Sequence, residues 1–273
     1  MDFETDDGWR YSVRAVWDED AEPSRYAHAS VTALVSDRPF AGRIDKAVED
    51  INDEELLDCL EPVQPECIFP VFPGHFTKAP AFHLPKHYLK TPSFAWEDCQ
   101  DGRSIVAECF LREVSVLEQL REVPHPNVVS YHGCVVNGGR ITKVCLNEYK
   151  CNLSEHLDAH AGRLPTDEAY RIVDNVEAGI KHLHSLGLAH NDICPDNICL
   201  DANGDAVVVG YHSCLPYGQP LLKGDVAAGS LLSRDTPRSH PENDWRGLNE
   251  IANVLFARPH ESLLQSNSYQ IWR

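Results

Sequence analysis

The stretch that most constrains what this chain can fold into is His190-Asn191-Asp192-Ile193-Cys194-Pro195-Asp196-Asn197. It follows residues 166–186, where Tyr170, Val173, Val176, Ile180 and Leu183 recur at helical spacing. Thr166 is placed to cap that helix and Gly187 to end it. The stretch precedes a strand-like run, residues 198–200, the turn Ala202-Asn203-Gly204-Asp205, and a second run, residues 206–209. Asp, Asn and Pro gather at many helix-to-strand junctions, so the loop alone also suits a plain turn. Its meaning depends on what stands in order around it.

Upstream, residues 105–120 read as a helix, with Leu111, Val114, Leu117 and Leu120 near one face. Two strand-like runs, residues 128–136 and 140–146, flank the turn signal Asn137-Gly138-Gly139. A short run at 83–90 comes before the helix, so helix and hairpin read as the second half of a small mixed lobe. Residues 62–80 are rich in proline and aromatics and mark a junction. Residues 1–70 are acidic and irregular, with a strand expected at 11–17 and a helix at 53–60, where Leu56, Leu57 and Leu60 share a face. The expected division is 1–70, an extension or part of the small lobe, and 71–273, the main domain.

The loop resembles the protein kinase catalytic loop, H-R-D-L-K-P-x-N, and lies where that loop lies. The resemblance makes Asp192 the catalytic aspartate and Asn197 the metal-binding asparagine. Phosphoryl transfer needs a carboxylate to orient the attacking hydroxyl and an oxygen ligand five residues later to hold magnesium against the phosphates. It also makes Lys90 the third-strand lysine that contacts the nucleotide phosphates, with Lys86 as a rival, and Glu113 its helical partner. Glu148 and Tyr149 resemble the hinge that receives an adenine edge, and Asp244 the buried aspartate that anchors the catalytic loop. His-Asn-Asp, Ser213-Cys214 and the segment from Glu242 to Leu248 are similar to kinase-like proteins abundant in filamentous fungi. Over residues 80–256 the landmarks are collinear. The implied fold is α+β and bilobal, a small β/α lobe followed by a mainly helical one, and the implied cofactors are ATP and Mg2+.

The departures bear on activity. Gly210-Tyr211-His212 stands where the family has D-F-G, so the magnesium-chelating aspartate is replaced by a residue without a side chain. Asp196 is the nearest substitute in the loop. Cys194 replaces the lysine that neutralises the transferring phosphate, and Asn191 the arginine that reads activation-loop phosphorylation. No G-x-G-x-x-G precedes Lys90, no A-P-E element is recognisable between 210 and 241, and the short run to Arg273 implies a truncated helical lobe. The expected function is a pseudokinase with weak or no phosphotransfer. The alternatives are an active, divergent serine/threonine kinase and a small-molecule phosphotransferase of the aminoglycoside or choline kinase kind.

Composition narrows the partners. Forty-two acidic against 24 Lys and Arg residues give a net charge of −18, which repels nucleic acid and anionic membrane, so a protein is the expected partner or substrate. The first residues carry no basic-then-apolar leader, and a cytoplasmic or nuclear location is expected. Ten scattered cysteines without a CxxC pair are expected to be reduced and mostly buried.

Overall fold

The computed structural model describes residues 2–4, 10–18, 25–80, 86–100, 102, 104–221 and 238–256. The chain opens with an antiparallel sheet that the sequence reading foresaw in one strand only. Strands β1 (Asp2–Glu4), β2 (Arg10–Asp18), β3 (Arg25–Val35) and β4 (Arg38–Ile44) lie in chain order, and β5 (Glu61–Pro62) closes the far edge. Residues 28–33 of β3 are buried in succession. A strand covered on both faces has no need of apolar–polar alternation, and its small residues Ala29, Ser30, Val31, Thr32 and Ala33 show none.

Between β4 and β5 runs helix α1 (Asp53–Asp58), opened by a reciprocal capping box in which Asn52 accepts from the Glu55 amide and Glu55 from the Asn52 amide. Only Leu56 of its leucines is buried, against Val13, Ala29 and Val31, while Leu57 is exposed. Helix α2 (Pro65–Ile68) interrupts the proline-rich stretch, which is otherwise irregular. Cys67, Ile68 and Phe69 pack with Ala41, Phe94 and Val106, a core shared by the sheet and the first turn of the next long helix.

Strand β6 (His87–Lys90) is followed by helix α3 (Ile105–Glu122) and the hairpin β7 (Tyr131–Asn137) and β8 (Arg140–Asn147). The sheet order β6-β8-β7 leaves β6 at an edge. Residues 81–85, the start of the run expected at 83–90, lie outside the described residues. The left-handed φ values of Gly138 (56°) and Gly139 (78°) form the expected hairpin turn.

The second half contains β9 (Cys151–Asn152), α4 (Leu153–Ala159), α5 (Thr166–Ser185), β10 (Leu188–Ala189), β11 (Ile198–Leu200), β12 (Ala206–Val208), β13 (Leu215–Pro216) and α6 (Pro241–Phe256). Helix α5 buries Ala169, Ile172, Val176, Gly179, Ile180 and Leu183. Tyr170, expected on that stripe, is 58% exposed because it lies on the turn's outer side. Pro165, not Thr166, is the N-cap, and no side chain caps the helix. Val114 and Leu117 of α3, Val144 of β8, Ile180 of α5 and Ile251 of α6 belong to one continuous core. The architecture is α+β, sheet-rich in its N-terminal part and mainly helical after β9. None of the ten cysteines forms a disulfide; only Cys67, Cys134, Cys145 and Cys214 are buried and six are half-buried, because apolar neighbours in sequence do not by themselves bury a thiol.

One polar clasp ties the N-terminal sheet to the β7–β8 hairpin. Asp37, in the β3–β4 turn at φ 63°, accepts from Asn137 Nδ2 (3.2 Å) and Thr142 Oγ1 (3.2 Å) and pairs with the Lys143 ammonium. Partial burial acts to raise the Asp37 carboxyl pKa, but these hydrogen bonds and the Lys143 charge outweigh it and hold the group below its ordinary value. A depressed carboxylate contributes stability that is fully present above its unfolded value and is lost as pH falls through the folded one. Asp37→Ala is therefore expected to lower stability at neutral pH by about 1–3 kcal/mol. In urea melts the deficit relative to wild type should shrink under strong acid; an unchanged midpoint at neutral pH would show that the clasp contributes nothing.

Candidate functional site

A cleft of about 910 Å³ lies between the two halves, lined by Lys90, Glu113, Glu148, Tyr149, Asn197 and Gly210 among others. Lys90 at the end of β6 forms an ion pair with Glu113 of α3, which is 5% exposed. The edge position of β6 and the inward face of α3 bring the two together across the cleft wall. Lys86 is exposed at the head of its strand, and its carbonyl accepts the Glu148 amide at 3.1 Å, so the N–H of this hinge residue is already engaged. Tyr149 packs against the main core, and its hydroxyl accepts the Ser130 amide at 3.3 Å.

The loop after β10 is held from below by Asp244 in the first turn of α6. Its fully buried carboxylate accepts the amides of His190 (2.9 Å) and Asn191 (2.7 Å) and the His184 ring N–H (2.8 Å). His190, also without exposure, bonds through Nε2 to the Val209 carbonyl (2.9 Å) and accepts the Asp192 amide at Nδ1 (3.3 Å). Burial pushes this imidazole below its usual range, so it is a neutral strut with its proton on Nε2.

Asn191 does more than fill the place of an arginine. It adopts φ 66°, a left-handed conformation that asparagine tolerates better than most residues. Its amide donates to the carbonyls of Ala189 (2.9 Å) and Ser213 (2.9 Å) and to Ser239 Oγ (3.0 Å). Its oxygen accepts from Asn243 Nδ2 (2.9 Å) and the His240 amide (3.2 Å). Beyond the identity of the residue, nothing in the amino-acid order marks this hub.

Asp192 and Asn197 stand together: Asn197 Nδ2 donates to the Asp192 carboxylate (2.7 Å) and carbonyl (2.9 Å). His212 Nε2 lies 3.5 Å from the same carboxylate. The Asn197 amide oxygen faces Gly210, whose φ is 80°, and a Cβ added at Gly210 would overlap it. A side chain at 210 would therefore require the Asn197 amide to move. Among the described residues no three His, Cys, Asp or Glu side chains are grouped to hold a metal ion. Asp196 lines the cleft and belongs to no such group. Burial, reinforced by the Asp192 charge, pushes the Cys194 thiol up to about 11, so it stays neutral and supplies none of the positive charge of the lysine it replaces. With glycine at 210, the site lacks the carboxylate ligand that D-F-G places there, and the Asn197 amide oxygen remains beside it. Asp201, by contrast, accepts the amides of Asn203 (2.8 Å) and Asp205 (2.9 Å) and serves the turn alone.

Residues 96–211 match the model of the protein kinase domain. Serine/threonine-protein kinase PkaB of Streptomyces coelicolor is 31% identical over 142 residues, covering 52% of this chain and 31% of PkaB. Serine/threonine-protein kinase PSK1 of Saccharomyces cerevisiae is 27% identical over 151 residues, covering 49% and 10%. Serine/threonine-protein kinase Tao of Drosophila melanogaster is 34% identical over 106 residues, covering 38% and 10%. The chain thus spans less than a third of the length of each relative. Among the described residues no helix is long and apolar enough to cross a membrane.

Asn191→Arg, which restores the residue of the family motif, is expected to destabilise the fold. The longer side chain leaves the Asp244 layer without its hub, and a loss of about 2–4 kcal/mol follows from several buried groups left unpaired. Thermal unfolding with wild-type stability would overturn this account of Asn191.

Proposed function

Because the chain belongs to the protein kinase superfamily, we propose that it is a pseudokinase, a domain that binds nucleotide without a catalytic metal and acts through a protein partner. The observation that carries this reading is Gly210 itself, which offers no carboxylate where the D-F-G motif has one, with the Asn197 amide lying against it and donating to the Asp192 carboxylate. Protein kinase domains in general use ATP and Mg2+. A bound magnesium ion supplies Lewis-acid stabilisation to the transferring phosphoryl group. Losing several kcal/mol of such stabilisation slows transfer greatly, since each ~1.4 kcal/mol is tenfold in rate.

Support for retained nucleotide binding comes from the intact Lys90–Glu113 pair and the hinge-side cleft wall at Glu148 and Tyr149. Lys90 would meet the phosphate chain, Glu113 would hold Lys90, and the segment after β8 would face the base. Asp192, held by Asn197 and faced by His212, would act as an acceptor that fixes the loop. The charge of −18 favours a protein over nucleic acid or membrane as partner, and ten cysteines without a disulfide suit a cytoplasmic or nuclear setting.

Thermal shift with ATP in EDTA, and again with Mg2+, tests the reading together with a phosphotransfer assay. The expected result is a shift by ATP in EDTA that Lys90→Ala removes, with no phosphate transferred. Magnesium-dependent transfer lost in Asp192→Ala would instead establish an active divergent kinase. Gly210→Asp does not simply reverse the change. Both it and Gly210→Ala are expected to lower stability by about 1–3 kcal/mol, through the left-handed backbone and the displaced Asn197 amide. Magnesium-dependent transfer by Gly210→Asp at wild-type stability would show that the position is open.

A further inference from the structure

Among the described residues of the first 80 positions, one lines the cleft, Arg14 on β2. It lies far outside the segment that matches the kinase family, and sequence reasoning did not find it, since an arginine in a half-buried strand usually faces water. Its placement follows from strand alternation. Val13 packs inward against Ala29, Val31 and Leu56, so Arg14 projects from the opposite face. Ser30, directly across from it on β3, accepts the Trp96 amide at 2.8 Å, and His28 on the same face pairs with Glu97. That face is thus the one crossed by the segment leaving β6. There Arg14 Nη2 donates to Ser93 Oγ at 2.5 Å, three residues after Lys90.

Charge makes this position informative. Asp98, Glu113, Glu148, Glu155 and Asp196 all line the cleft, so a phosphate chain entering it needs cations. The Lys90 charge is matched by Glu113. Arg14 is exposed, its recorded partner is a neutral hydroxyl, and among the described residues no carboxylate lies within ion-pair distance of it. A guanidinium offers a planar fork suited to phosphate oxygens.

We propose that Arg14 binds the phosphate chain of a nucleotide in this cleft, so that the N-terminal sheet supplies through a side chain the anion contact that a glycine-rich loop supplies elsewhere in the superfamily. The proposal rests on the nucleotide-binding reading above and adds to it a ligand contact from outside the matched kinase segment.

The test is calorimetric titration of the full chain in EDTA with ATP and with adenosine, for wild type, Arg14→Ala and Arg14→Lys. Thermal melts without ligand check that the exposed substitution leaves the fold intact. Wild type is expected to bind ATP more tightly than adenosine. Arg14→Ala should weaken ATP about tenfold, the cost of one charge-assisted contact, and leave adenosine unchanged; Arg14→Lys should fall between. Unchanged ATP affinity in Arg14→Ala, or an equal loss for adenosine, overturns this proposal alone. Wild type that binds adenosine but gains nothing from the phosphates does the same. Failure of wild type to bind either ligand overturns the nucleotide reading and this contact with it.

Discussion

The buried carboxylate of Asp244 is the interaction on which the rest of the site depends. A charge without solvent is tolerable only when hydrogen-bond donors replace the lost water, and three converge here from two elements besides its own. Through these bonds α6 fixes the backbone of His190 and Asn191, α5 contributes His184, and the residue that follows, Asp192, is presented to the cleft. Removing the carboxylate would leave the donors buried and unpaired, a loss of the size that unfolds marginal domains, about 3–5 kcal/mol. This foundation is present although glycine stands at 210 and cysteine at 194, where the family motif has an aspartate and a lysine.

How much was legible follows from what each residue's neighbours are. The helices α3 and α5, the β7–β8 hairpin and the loop at His190 were readable because their apolar spacing, glycine turns and polar punctuation are local properties. The Lys90–Glu113 pair was readable only as a counterpart of a known arrangement, since 23 residues separate the partners. Strand β3 escapes sequence reading because burial on both faces erases the alternation that marks a half-buried strand. Spacing places Tyr170 on the buried stripe, yet it stays largely exposed, with its ring against Phe256 of α6.

The meaning of Gly210 was half legible. The missing carboxylate can be read from one letter, but what lies against the position depends on the rotamer of Asn197 and a left-handed backbone. Likewise Cys194 reads as a lost lysine, whereas its neutrality follows from burial beside Asp192. Arg14 could not be assigned at all, because its importance lies in how a distant sheet is docked, and the clasp at Asp37 that docks it spans roughly 100 positions of sequence.

The core shared by α2, the sheet and the first turn of α3 has a mechanical consequence. In protein kinases the helix bearing the glutamate can be a moving part, and its position controls whether the lysine pair is made. Here the start of that helix is anchored through Val106 to Ile68, Phe69 and Phe94. Swinging it outward would open a packed interior, so the helix behaves as a fixed beam instead of a lever. The ordering cost of the Lys90–Glu113 geometry is met during folding, and a ligand arriving in the cleft finds its wall preorganised. Any on–off behaviour of this protein would then have to act by covering the cleft or its surroundings, because the usual moving part is locked.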